Sequence, residues 1–471
     1  MSSIMLSSIV SRYFGKLPVW LLSLASASLL VAGCGSGSSA SMATGPAGPS
    51  FVVGTDAPMA AVTSFAVQLN SVNAVDASGN TVSLISGTPT VDFARFNGLQ
   101  TLLDMNDVPA GTYTSVQINL GSATIGYLNT GSGAPTITNE AATLTTSTVN
   151  ITLTSPLVVV QAGSPVGLNL DFNLRKSIQT DTNGNITGTV TPTFTVGSVA
   201  IGDAGAYIDE FDAAVVSVNT TAQSFVVQGP HGRQFTINVT GNTEWDNGDT
   251  LSELTTSSIV QISGKLNKAD ATIDADEIAI LSQSAFYASG QVTYVTPATG
   301  AATSFDLYVR GLLPTTTGLT LGQIAQVNLT GSEKFFIYWM HNPLTQFLFN
   351  PSAILAGQSI AVGGPASGAT NAQAVTVNRV ALRHWGFNGT VVAGSRNSSS
   401  GTFQMQINGF AGVLVPQTVT VYVGNSCTYR LGFNTFGDLT DSANVRVVGL
   451  LLKDPVSGNA VLLAHYVDHL N

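Results

Sequence analysis

The stretch GTYTSVQINL, residues 111–120, decides the class of fold, because Val116, Ile118 and Leu120 alternate with Ser115, Gln117 and Asn119. A period of two puts the apolar side chains on one face of a β-strand, whereas a helix at about 3.6 residues per turn would scatter them around its axis. The same period returns in STVNITLTS (147–155) and PVGLNLDFNL (165–174), and it opens SFAVQLNSVNAV (64–75). There the turn DASGN (76–80) follows before TVSLI resumes, which is hairpin chemistry. Such spacing over residues 51–200 predicts a β-sandwich of the immunoglobulin or transthyretin kind, with one core between two sheets.

Beyond a linker at 202–205, three segments superimpose on one another. They begin FDAAVVSV (211–218), YASGQVTYV (287–295) and GFNGTVVAG (386–394), and continue QSFVVQG (223–229), TSFDLYVRG (303–311) and GTFQMQING (401–409). Next come SIVQISGKL (258–266), SIAVGGPA (359–366) and NVRVVGLLL (444–452), and each segment closes with one more apolar run. Units of this length with five or six short strands suit small Greek-key barrels, OB-like or SH3-like. The predicted fold is therefore all-β: an N-terminal β-sandwich followed by three small β-barrel-like repeats at 206–283, 284–383 and 384–471.

Composition agrees. Hydrophobic residues make up 44% of the 471 positions and charged residues only 9%, with 48 glycines, so long amphipathic helices are not expected. The net charge of −10 disfavours nucleic acid as a partner, since such proteins neutralise phosphates with basic surfaces.

The N-terminus reads as an export signal. Arg12 and Lys16 precede an uncharged stretch, Leu17 to Gly33, that holds Pro18 and several serines and is too short and polar for a permanent span. It ends in Val31-Ala32-Gly33-Cys34, which resembles the lipobox of bacterial lipoproteins. That resemblance implies cleavage after residue 33, lipidation of Cys34 and a membrane partner, held by acyl chains at about 0.8 kcal/mol per buried methylene. Gly35 after the cysteine points to the outer membrane. The Gly/Ser-rich run at 35–50 is expected to be a flexible tether.

Several blocks of the first domain are more specific than their periodicity. VVGTDAP (52–58), VDFARF (91–96), LLDMNDVPAGTYTSVQINL (102–120), VVVQAGSPVGLNLDFNLRKSI (158–178) and VTPTFTV (190–196) stand in the order found in a bacterial lipoprotein family. That family is catalogued as domain of unknown function 4382, and the resemblance implies a β-sandwich on an envelope lipoprotein but no activity. The three repeats resemble a second such family, DUF5666, through their short glycine-bearing strands.

Candidate chemistry is sparse. The sequence holds no G-x-S-x-G, H-E-x-x-H, Walker, S-x-x-K or C-x-x-C motif, and no cofactor is expected. Asp56, Asp92 and Asp171 are weak candidates for a shared Ca²⁺, but without a D-x-D-x-D loop a turn at Thr55–Pro58 is the preferred reading. Tyr113, after Pro109-Ala110-Gly111, is expected to fasten a strand corner. His465 and His469 have helical zinc spacing but fall where the other repeats have a strand. Cys427 reads as a small buried hydrophobe rather than a reactive thiol. Glu244, Asp246 and Asp249 in EWDNGD read as a solvated turn.

One run differs from its copies. FFIYWMHNPLTQFLF (335–349) concentrates aromatic rings, and Tyr338 and Trp339 are candidate ligand contacts if exposed, or core of the middle repeat if buried. The expected function is a non-enzymatic surface module that recognises polysaccharide or an envelope partner. The alternatives are an extracytoplasmic carbohydrate-active hydrolase with dispersed carboxylates and a structural spacer.

Overall fold

The structure, a computed structural model, describes residues 47–470 apart from 58–61, 130–135, 161–165, 183–184, 203–205, 230–231, 268–271, 284–285, 314–318, 339–346, 366–373 and 408–416. It is all-β; the longest regular helix among the described residues is the single turn Leu174–Ser177. No helix among them is long and apolar enough to cross a membrane.

The first domain is a sandwich. A four-stranded sheet runs Phe194–Ala200, Val166–Asn173, Ala47–Ala57, Thr101–Pro109 across its width. It faces an eight-stranded sheet built around Gly111–Asn129 and Val62–Asp76. Val116, Ile118 and Leu120 enter the core between the sheets, as their period of two requires. The Asp76–Asn80 turn forms as its chemistry dictates: the Asp76 carboxylate accepts from the Ser78 amide at 2.8 Å and the Asn80 amide at 2.9 Å. Tyr113 fastens the corner by donating from its buried hydroxyl to the Pro109 carbonyl at 2.7 Å.

Two expectations near the first strand are corrected. Residues 47–50, read as tether, belong to the strand Ala47–Ala57, with Ala47 opposite Pro109 and Ser50 opposite Asn106. Pairing uses backbone groups, so small side chains there do not prevent it. Thr55, Asp56 and Ala57 continue the same strand, in parallel register with Asp171, Phe172 and Asn173, rather than opening a turn.

The three repeats share one pairing order. In the first barrel the strands Ile208–Asn219, Ser224–Gln228, Gln234–Trp245, Ile259–Leu266 and Ile273–Ser282 pair first to second to third, then third to fifth, fifth to fourth and fourth back to first. The last barrel repeats this with Trp385–Val391, Thr402–Ile407, Gln417–Arg430, Asn444–Lys453 and Ala460–His469. In both, the third and fifth strands run parallel and their register shifts midway, between Val239 and Glu244 and between Val423 and Thr428. The middle repeat, Phe286 to Arg383, takes the shift further. Its third strand is split into Ile324–Asn328 and Lys334–Ile337, and its fifth into Ala374–Thr376 and Arg379–Arg383, each half paired with its counterpart. The first and last repeats are thus closed barrels of Greek-key order, whereas the middle repeat, expected to be a third barrel, is a seven-stranded sheet because its third and fifth strands are broken.

Runs that are apolar on both faces explain how the units join, because a strand buried on both sides cannot keep a polar face. In Phe51-Val52-Val53, Val52 enters the sandwich core, whereas Phe51 and Val53 enter the core of the first barrel. In the last barrel Val445, Val447 and Leu451 face inward, while Leu450 and Leu452 pack into the middle repeat. The described residues accordingly belong to one compact unit.

Candidate functional site

The junction of the units is polar, and its side chains are set by strand alternation. On the first strand of the first barrel Phe211 and Ala213 enter that barrel's core, so Asp212 between them faces outward. In Arg379–Arg383 of the middle repeat, Val380 and Leu382 point inward and Arg383 points out. The two meet: Arg383 lies 3.1 Å from the Asp212 carboxylate and also pairs with Glu210. Tyr287 donates to Asp212 at 2.6 Å and accepts from Arg383 at 2.6 Å. Arg95 reaches Asp212 at 3.2 Å from the 3₁₀ turn Phe93–Arg95 of the sandwich. One buried carboxylate thus ties three units together.

A second knot holds the last barrel. Asp468 is clamped by Arg430 at 2.7 Å and Arg446 at 2.9 Å, and these cations hold its carboxyl below the usual range against the effect of burial. Arg430 also donates to the Gly98 carbonyl of the sandwich at 3.3 Å and stacks 3.9 Å from the Tyr466 ring centroid. Tyr466 donates to Asp209 at 2.9 Å. Glycine is required at the contact: Gly98 has φ +88°, and a Cβ there would sit 2.5 Å from the Arg446 guanidinium. Burial pushes Asp209 up to about 6 and Glu210 up to about 7, partly opposed by Arg430 and Arg383 respectively.

Beside this junction, between the sandwich and the middle repeat, lies a cleft of about 520 Å³. Its walls are mostly apolar, with Phe96, Leu102 and Leu103 from the sandwich, Phe211 from the first barrel and Leu312, Leu313 and Leu321 from the middle repeat. Asp92, Arg95, Asp212, Tyr287 and Arg310 bring polar groups to it. Arg310 lies 4.0 Å from Asp92 and stacks over Trp385, 4.8 Å from its ring centroid. Asp92 accepts from the Phe65 amide at 2.8 Å; burial raises its pKa, while Arg310 lowers it. At the mouth, Asn139 of the sandwich donates to the Gly322 carbonyl at 3.1 Å. A half-open space with apolar walls and a few converging polar groups is the usual form of a small-ligand site.

The residues singled out from sequence are distributed differently. Tyr338 is fully buried, its hydroxyl 2.7 Å from that of Ser263, so it is a core residue between the first and middle repeats and not a surface contact. Phe336, Phe347 and Phe349 are buried as well; Trp339 lies outside the described residues. Asp92 and Asp171 belong to different sheets, the side chain of Asp56 is outside the described residues, and among those residues no group of three or more His, Cys, Asp or Glu side chains is placed to hold a metal. His465 and His469 sit on the strand Ala460–His469. Cys427 is a free thiol that burial and Asp468 push up to about 12. Cys34 lies outside the described residues.

The EWDNGD turn is corrected too. Asp246 and Asp249 are buried, and Asp249 pairs with Arg379 at 3.4 Å and Lys334 at 3.6 Å of the middle repeat, because the turn packs against that repeat. Sequence reasoning missed Arg95, Asp212, Tyr287, Arg310 and Arg383. The signal was present: in a chain with 9% charged residues, Arg310 in LYVRGLL and Arg383 in VALRHW sit within apolar runs, where a charge must find a partner.

Residues 52–189, within the sandwich, match the family model described as Domain of unknown function (DUF4382). No curated protein and no solved structure matches the chain.

Proposed function

We propose that this chain is a lipoprotein of the bacterial cell envelope, anchored through Cys34 and placed at the outer membrane, that binds polysaccharide or an envelope partner without transforming it. The observation that carries the binding reading is the cleft between the sandwich and the middle repeat, where apolar walls and charge-balanced polar groups converge. The anchor rests on the order of basic start, apolar run and VAGC in the sequence. Residues 52–189 match the DUF4382 family model, the family whose resemblance led to the envelope-lipoprotein expectation.

Two assays test the proposal. Cells fed a clickable palmitate analogue should label the wild-type chain and not Cys34→Ser, and the purified chain should be retained on immobilised envelope polysaccharide. An unlabelled wild type rejects the anchor; failure to be retained on any glycan or envelope fraction rejects the binding role.

One observation keeps the hydrolase reading in play: Asp92 and Asp212 both line the cleft, and paired carboxylates are what glycoside hydrolysis needs. Burial raises the pKa of Asp92 against the pull of Arg310, whereas Asp212 is bonded by Arg95 and Arg383. Release of reducing ends from a retained glycan, lost in Asp92→Asn, would establish hydrolysis in place of binding.

A further inference from the structure

We propose that the cleft takes the neutral end of a carbohydrate about two sugar rings long, whose hydroxyl pairs bridge Arg95 to Asp212 and Arg310 to Asp92. This rests on the binding reading above and names its ligand class and subsite. The volume of about 520 Å³ falls within the roughly 300–1,000 Å³ typical of small-ligand sites.

Charge decides the class. The cleft is lined by two guanidinium groups, Arg95 and Arg310, and two carboxylates, Asp92 and Asp212. An anionic ligand meets the carboxylates and a cationic one meets the arginines, so the balance favours neither. An acyl chain would strip the remaining water from Arg95 and Asp92, the more exposed of the four, and return no hydrogen bond, which is costly. Adjacent sugar hydroxyls both donate and accept, so one pair can accept from an arginine N–H and donate to the neighbouring carboxylate. The C–H faces of the rings then lie on Phe96, Leu102 and Leu312.

A second observation points the same way. Asp212 is 3% exposed, and its Oδ1 has no hydrogen-bond partner among the described residues although Oδ2 has three. A buried acceptor without a donor is costly and rare in a folded protein. A ligand hydroxyl supplies that donor.

The test is calorimetric titration of the full chain with methyl glycosides of neutral gluco-, galacto- and manno-configured disaccharides, with glucuronate and decanoate as comparisons. Leu321, at the mouth and 52% exposed, can be enlarged without disturbing a core, so Leu321→Trp blocks entry, and Arg95→Met removes one bridge. The expected result is binding of at least one neutral disaccharide that both variants weaken at least tenfold, while the melting temperature of Leu321→Trp, which touches no partner of Asp212, stays close to wild type. Binding of glucuronate or decanoate in place of the neutral sugars overturns the ligand class. Sugar binding untouched by Leu321→Trp overturns the subsite. If the chain holds polysaccharide or an envelope fraction yet no small sugar, this inference falls and the binding reading stands; if it holds none of these, both fall.

Discussion

Asp212 of the first barrel and Arg383 of the middle repeat stand 3.1 Å apart with almost no solvent access to either side chain. Buried pairs of this kind contribute little over an apolar substitute, but losing one partner strands the other charge. Asp212→Ala leaves Arg95 and Tyr287 without their carboxylate and Arg383 with Glu210 alone. Chemical denaturation should show a loss of about 3–5 kcal/mol. The double variant with Arg383→Met should recover part of it, and strictly additive losses would refute the coupling.

Tyr338 separates packing from recognition. Tyr338→Ala should cost about 3–5 kcal/mol, as for other large core rings, and Tyr338→Phe, which removes only the hydrogen bond to Ser263, about 1 kcal/mol. Thermal melts read both. Unchanged stability in Tyr338→Ala, with loss of glycan retention, would return the ring to the surface.

The junction carboxylates make the fold prefer mild acid. Asp209 and Glu210 titrate near 6 and 7 in the fold but near about 4 in an unfolded chain. The folded state therefore binds their protons more tightly, and stability falls as pH rises from about 4 to about 7 and then levels off. Asp468, held low by its arginines, acts below that window and with the opposite sign. Melting temperature followed between pH 4.5 and 8 should decline across the lower part of the range, and Glu210→Gln should flatten the decline. A melting temperature that climbs with pH there would contradict the burial of these groups.

Cys427 should be inert in the native protein, since its thiol is pushed up to about 12 and only the thiolate attacks. Iodoacetamide at pH 8 should label it on unfolding and scarcely before. Rapid labelling of native protein would place it on an open surface.

The fold was legible where the sequence obeys a single rule. Val116, Ile118 and Leu120 alternate because one face of their strand is buried, and the three repeats align because each strand keeps its place in the barrel order. The junction was hidden for the opposite reason. Phe51-Val52-Val53 and Leu450-Leu451-Leu452 are buried on both faces and show no alternation. The partners of Asp212 lie 117 residues before it and 171 after it in the chain, so neither spacing nor motif marks them. The aromatic run at 335–349 reads either as contact surface or as core, because composition alone does not say which neighbour covers it; the first barrel and the middle repeat cover Tyr338.

The cleft depends on the sandwich, the two barrels and the middle repeat forming one body. Differential scanning calorimetry of the full chain tests this most directly. One cooperative transition that moves as a whole in Asp212→Ala is the expected result. Separate transitions for the sandwich and the repeats, with only one of them shifted, would contradict it.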